Sequence, residues 1–286
     1  MKYLKKFSTE AEYNAFIESG AMVKPNVSVV EEGGVYYNPI ELPLYVEALE
    51  DMLISAFTGY NVQYSYDNNT WVNWRQGTNY PTLTLEAGKR LYLRATPEGT
   101  DIAGIESLSL QQRCNVGGNV LSVSYGENYV GKVAIPEEYP NSIQRLFSGC
   151  KGIVSAKKLI MPRGLTTSCF YDFFHGCTNL IEPPALPAQI LKPHCYTGMF
   201  YGCTSLKTAP VLPAENLAKN CYYLTFADCS QLSYVKAMFV TPPSGDDIGR
   251  WLRNVSDTGV FVKNSKATWE ITGDSGIPSG WTILYE

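Results

Sequence analysis

The feature that most constrains this chain is a repeat. Cys169, Cys195 and Cys221 follow one another at intervals of 26 residues, and so do Cys177, Cys203 and Cys229. Comparing Cys169–His194 with Cys195–Asn220 pairs Phe174 with Phe200, Gly176 with Gly202 and Thr178 with Thr204. Leu180 pairs with Leu206, Pro184 with Pro210, Leu186 with Leu212 and Leu191 with Leu217. A degenerate copy holds Leu146-Phe147-Ser148-Gly149-Cys150, and a later one holds Phe226, Cys229 and Leu232. A fixed period between 20 and 50 marks units that cannot cover their own apolar faces and must stack on one another. Cys195, Met199 and Cys203 recur every four residues, so the sequence predicts about two helical turns over 195–203 with those side chains on one stripe. Leu206–Ala209 then reads as a short strand ended by Pro210. One strand and one helix per unit predict a short leucine-rich-repeat solenoid over 113–240.

The segments around the repeat differ in pattern. From 43 to 112, period-two runs (Val62/Tyr64/Tyr66, Thr70–Trp74, Thr82–Leu85, Leu91–Arg94) are broken by Asn, Asp and Gly. Such alternation, with turns every 8–12 residues, predicts a small Ig-like β-sandwich. Residues 1–42 read as a helix over 8–20 with Thr9 and Glu12 at capping-box spacing, followed by an extended arm punctuated by Pro25, Gly33, Gly34 and Pro39. The arm is either a flexible leader or an anchor that orders on a carrier. Residues 241–286 read as a cap: a helix behind Ser244 and Asp247 carrying Ile248, Trp251 and Leu252, a strand Gly259–Val262, and a final turn ending at Trp281. The fold class expected is therefore α+β or mainly β.

The motif Cys-Tyr-x-x-Met-Phe-x-Gly-Cys-Thr-Ser-Leu at 195–206, with Ala-Pro-x-Leu-Pro-Ala at 209–214, resembles the BspA-like leucine-rich repeat family of gut-bacterial surface and prophage-encoded proteins. Tyr64–Trp71, Ala87–Arg94, Cys114–Gly126, Lys236–Phe239, Gly259–Asn264 and Ile277–Trp281 extend the resemblance over roughly 43–286. Pro25–Val30 and Tyr36–Pro39 resemble the leader of phage structural proteins. The resemblance implies binding or adhesion and no chemistry of its own; this chain departs from the family in having few repeats, only two of them clean, which leaves a small concave surface.

Composition narrows the function classes. The net charge is -4 and only 17% of residues are charged, which argues against the cationic footprint of a nucleic-acid binder. No run approaches the ~18–20 apolar residues of a membrane span. The basic start Met1–Lys6 is not followed by an apolar core, so no secretory signal is expected within this sequence. The eight cysteines lack the short Cys-x-x-Cys knuckles of zinc sites. Thiols eight residues apart on a helix would lie ~12 Å apart, beyond the ~7 Å a disulfide tolerates between Cα atoms. Buried free thiols are expected, with a bridge between neighbouring repeats as the lesser alternative, and no metal and no cofactor. His175 aligns with Tyr201 and Ala227, and His194 with Asn220; both read as surface residues. Gly273-Asp274-Ser275-Gly276 copies a serine-protease motif but lacks a histidine in a matching context, and reads as a turn. Adjacent Asp246 and Asp247 fit a helix start. No catalytic residues are assigned.

Aromatics exceed what the cores require, and Trp74, Tyr80, Tyr196, Tyr201, Tyr222 and Tyr223 are the candidate binding surface. The expected function is non-enzymatic attachment, recognition or structure, on a phage or prophage virion. Residues 1–42 would dock the chain to its carrier, and the repeats would meet protein or glycan at a bacterial or host surface. A bacterial cell-surface adhesin is the alternative, and a glycan-active hydrolase a distant third. An extracellular location and a possible homo-oligomer complete these expectations.

Overall fold

A computed structural model describes residues 41–57, 62–75, 80–96, 107–138 and 143–286. The helix expected over 8–20 and nearly all of the arm lie outside the described residues. The arm's last two residues lie on the chain itself: Asn119 N–H donates to Leu42 O at 2.8 Å, and Gly131 N–H donates to a Glu41 carboxylate oxygen.

Twelve strands are formed among the described residues. β1 (Leu44–Ala48), β3 (Val62–Ser65), β4 (Val72–Asn73), β6 (Arg90–Ala95), β8 (Cys114–Asn119) and β9 (Ile153–Ile160) make one sheet in the order β4-β3-β6-β1-β8-β9. β2 (Met52–Phe57), β5 (Leu83–Leu85) and β7 (Ser107–Leu110) make a second in the order β5-β2-β7, and β10 (Tyr234–Ala237), β11 (Gly259–Lys263) and β12 (Trp281–Tyr285) make a third. The period-two runs form strands because alternation buries one face: β6 alternates half-buried Arg90, Tyr92 and Arg94 with buried Leu91, Leu93 and Ala95. The inward residues of the first two sheets share one buried cluster with the repeats.

The expected boundary at 112/113 does not interrupt the sheet. β8 pairs antiparallel with β1 on one side and parallel with β9 on the other. Gly118 makes this join possible. Its φ is +79°, and a Cβ there would stand 2.0 Å from Pro43 O.

The expected fold class needs correction. Among the described residues the protein is almost all β, with 29% strand and 4% helix. The described residues hold one four-residue α-helix, α1 (Ser122–Tyr125), followed by a 3₁₀ turn over Gly126–Tyr129. Among the described residues the strand-and-helix leucine-rich-repeat solenoid expected over 113–240 is not shown. In the two clean copies the expected strand shrinks to single bridges, Ser155 with Glu182 and Thr208 with Tyr234, because Pro183, Pro184 and Pro210 follow and cannot donate to a ladder; the later copy keeps its strand as β10.

In place of the expected helix, each copy is a ribbon of consecutive β-turns. In the copy beginning at His194, the odd-numbered N–H groups turn back locally: Thr197 donates to His194 O, Met199 to Tyr196 O, Tyr201 to Gly198 O and Cys203 to Phe200 O. The even-numbered N–H groups reach the next copy. Tyr196 donates to Cys221 O, Gly198 to Tyr223 O, Phe200 to Thr225 O and Gly202 to Ala227 O, at 2.9–3.0 Å. Every donor in the ribbon is thus used, half within a copy and half between copies, as burial requires. Such turns need a left-handed residue at every fourth position, and φ is positive at Ser168, Asp172 and Gly176, at His194, Gly198 and Gly202, and at Asn220, Leu224 and Asp228. The helix expected behind Ser244 is a further ribbon of the same kind: Phe226 N–H donates to Trp251 O and Asp228 N–H to Arg253 O.

Stacking aligns like with like. Phe147, Phe174, Phe200 and Phe226 form a column with ring centroids 5.4–5.6 Å apart and planes within 12°. Phe170, Tyr196 and Tyr222 form a second column at 5.9 Å spacing. Trp251 meets both columns, at 6.5 Å from Phe226 and 6.3 Å from Tyr222.

Candidate functional site

Three of the six expected contact aromatics are core residues. Trp74, Tyr196 and Tyr222 are fully buried. Trp74 sits edge-on to Tyr64 and donates its indole N–H to Pro81 O at 2.8 Å. Tyr196 and Tyr222 stand in the second ring column, since a turn ribbon buries two neighbours in every four residues where a helical stripe would have turned Tyr196 outward. They are removed from the binding surface on this ground. Tyr80, Tyr201 and Tyr223 are half-buried. Tyr80 packs against the core of the first two sheets, far in the chain from the two repeat tyrosines.

Tyr201 belongs to a continuous row of polar and aromatic side chains across the edges of successive ribbons. Arg145 opens it, with its guanidinium 5.5 Å from the Tyr171 ring and Nε 3.5 Å from Asp172 Oδ2. His175 Nδ1 lies 3.9 Å from the same carboxylate oxygen, and its ring meets Tyr201 edge-on at 4.8 Å. Gly198 admits the Asp172 carboxylate, because a Cβ there would stand 2.2 Å from Asp172 Oδ1. Arg253 Nη2 donates to Tyr201 Oη at 3.2 Å and to Asp228 Oδ2 at 3.1 Å. Asn254 Nδ2 donates to Asp228 Oδ1 at 2.7 Å. Ala227 occupies the equivalent place in the intervening copy and is fully buried; Arg253 bridges across it.

The row's electrostatics follow from these contacts. Burial raises the Asp172 carboxyl above its ordinary value, against the opposing pull of His175 and Arg145. Burial also acts to raise Asp228, but hydrogen bonds from Tyr201, Asn254 and Arg253 outweigh it and hold that carboxyl below its ordinary value. The hydrogen bond to Asp228 is the main reason the Tyr201 hydroxyl is raised. The row presents guanidinium donors, carboxylate acceptors and ring faces along one edge, the groups that bind carboxylates, hydroxyls and flat apolar rings. Tyr223, beside Gly249 of the next copy, adds a half-buried ring. Sequence reasoning found Tyr201 and Tyr223 but missed Arg145, Asp172, Asp228 and Arg253. The available signal was positional: His175, Tyr201 and Arg253 fall at one place in the 26-residue unit, while the core positions stay apolar.

Other candidates have structural roles. All eight cysteines are free and buried. Cys150, Cys177, Cys203 and Cys229 donate their thiols to Leu108 O, Phe147 O, Phe174 O and Phe200 O at 2.8–3.2 Å, each reaching toward the preceding layer. Burial pushes Cys114, Cys169, Cys221 and Cys229 up to about 12 and Cys177, Cys195 and Cys203 well above the ordinary thiol range. A thiolate, the reactive form, is therefore disfavoured. Among the described residues no group of three His, Cys, Asp or Glu is placed to hold a metal ion, and no helix is long and apolar enough to cross a membrane. Ser275 Oγ accepts the Arg250 N–H at 2.9 Å, Leu252 N–H donates to Asp274 O, and Gly276 N–H to Gly273 O; the protease-like tetrapeptide terminates the last ribbon. His194 is half-buried with φ +56° and serves as a turn residue. Comparison with known proteins gives no matching family, no matching curated protein and no matching solved structure.

Proposed function

We propose that this protein is a non-enzymatic recognition or structural protein, carried on a phage virion or bacterial surface, that contacts protein or glycan through the edge row running from Arg145 to Asn254. The observation that carries this reading is the Tyr201–Arg253–Asp228 contact. It spans three copies and places an aromatic ring, a cation and an anion together on a half-buried edge. Half-buried Arg and Tyr of this kind are the residue types that dominate interfaces. The resemblance of the repeat motif to BspA-like surface and prophage proteins supports the same reading, as does the phage-like leader in residues 1–42. Both concern display and attachment.

The test is binding of the labelled chain to bacterial cells and to their isolated surface glycans and proteins. Arg253→Ala, which removes a partly exposed guanidinium, is expected to lower binding at least tenfold with the fold intact. Unchanged binding by a double variant, Tyr201→Ala with Arg253→Ala, would remove the row from the recognition surface.

A further inference from the structure

Among the described residues, β12 is a sheet edge that no other strand covers. It pairs parallel with β11 from Gly259/Trp281 to Lys263/Tyr285, and no described strand lies on its other side. Natural edges are kept short or blocked by charge, proline or bulges. The edges β4 and β5 fit that rule at two and three residues. β12 does not. It is five residues, Trp-Thr-Ile-Leu-Tyr, with no charge and no proline, and Ile283, Leu284 and Tyr285 are 38%, 50% and 59% exposed.

The backbone fixes which groups face outward. Glu286 N–H donates to Lys263 O, and Ser265 N–H donates to Glu286 O, so residue 286 points both its groups at β11. Extended strands alternate, so Thr282 and Leu284 also point toward β11, and Ile283 and Tyr285 point away. Trp281 N–H faces away too but is taken by Pro278 O at 3.0 Å. The free edge therefore offers the N–H of Ile283 and Tyr285 and the C=O of Trp281, Ile283 and Tyr285.

We propose that this edge is the contact between two copies of the chain, paired β12 to β12 antiparallel with Ile283 on the twofold axis. That register matches the free groups. The two Ile283 residues exchange both backbone bonds, and each Tyr285 N–H donates to the other copy's Trp281 O. The one donor that antiparallel pairing cannot use is the Trp281 N–H already spent on Pro278. Side chains fit as well. Ile283 stands beside its own counterpart and Trp281 beside Tyr285, apolar and aromatic pairs of the kind that stabilise sheets. Glu286, held by Lys236 at 2.6 Å, falls opposite Gly280, which has neither charge nor side chain. A second copy is favoured over a further strand because an isologous contact consumes both edges and closes, whereas an added strand would expose a new edge.

The experiment is sedimentation velocity of the full 286-residue chain over a range of micromolar concentrations, with two variants. Ile283→Lys places like charges on the axis. Ile283→Pro deletes the outward donor while sparing the bonds to β11, which come from residues 282, 284 and 286. The expected result is a concentration-dependent dimer in the wild type and a monomer in both variants, with unchanged circular dichroism. In a third variant, Ile283→Cys, oxidation is expected to yield a covalent dimer, and Leu53→Cys on exposed β2 is expected not to. A wild-type monomer throughout, a dimer that persists in Ile283→Pro and Ile283→Lys, or an open-ended oligomer would overturn the proposal.

Discussion

Replacing Phe200 by alanine removes one of the two inner rings of the longest aromatic column. Phe200 is 0% exposed and stacked between Phe174 at 5.6 Å and Phe226 at 5.5 Å, with planes 12° and 3° apart. Truncating a buried Phe to Ala costs about 3–5 kcal/mol, depending on how far the cavity collapses. Collapse is hindered here. The flanking backbone is held at fixed spacing by the Phe174 N–H to Met199 O and Phe200 N–H to Thr225 O bonds, so the neighbouring rings cannot close the gap. Two stacked contacts, each ~0.5–1.5 kcal/mol beyond area, are lost together. The expected cost is therefore at the upper end, about 4–5 kcal/mol. Phe200→Leu, which fills most of the space, should cost about 1–2 kcal/mol. The assay is urea unfolding followed by tryptophan fluorescence and by circular dichroism, since Trp251 reports the end of the column. A cost below about 2 kcal/mol for Phe200→Ala, or no difference between Ala and Leu, would refute the view that this column supports the stacked copies.

The raised thiols make stability depend on alkaline pH. A thiol that stays protonated in the folded state but ionises in the unfolded chain stabilises the fold below its unfolded value of about 9, and loses that effect as pH climbs through the folded value of about 12. The urea midpoint is expected to hold near neutral pH and fall above about 9, and a thiol reagent should label none of the eight cysteines rapidly until the chain unfolds; a midpoint flat to high pH would contradict this. Gly118→Ala forces a left-handed alanine and a contact 2.0 Å from Pro43 O. It is expected to lower stability by at least about 2 kcal/mol, read by the same unfolding assay, while Gly88→Ala, with nothing within 4 Å of its Cβ, should cost about 1 kcal/mol.

The period of 26 and the identity of the inner residues were legible in the sequence, because Phe174/Phe200 and Cys177/Cys203 repeat in type as well as in spacing. The local conformation was not. Cys195, Met199 and Cys203 recur every four residues, and that interval suits an α-helical stripe and a chain of four-residue turns equally well. The distinguishing mark lay in another column. Asp172, Gly176, Gly198, Gly202, Asn220 and Asp228 are residues that tolerate positive φ, and a helix interior would place them poorly. Leu224 and Arg250, equally left-handed, carry no such mark, so the pattern was incomplete. The misassigned backbone explains the misassigned aromatics: Tyr196 and Tyr222 read as outward on a helix and are inward on the ribbon. The polar row was marked only by the shared place of His175, Tyr201 and Arg253 in the 26-residue unit. Arg253 and Tyr201 are 52 residues apart, and only stacking joins them.

The alternation of bonds within and between ribbons has a genealogical consequence. Among the copies that begin at Cys169, Cys195 and Cys221, each ribbon shows its successor the carbonyls, the Phe ring and the thiols that its predecessor showed to it, so inserting or deleting a whole unit there leaves the junction chemically unchanged. A single-residue slip inside a ribbon would instead swap the two sets of donors and strand them all. Such a chain can therefore lengthen or shorten in steps of 26, while each step keeps its own length.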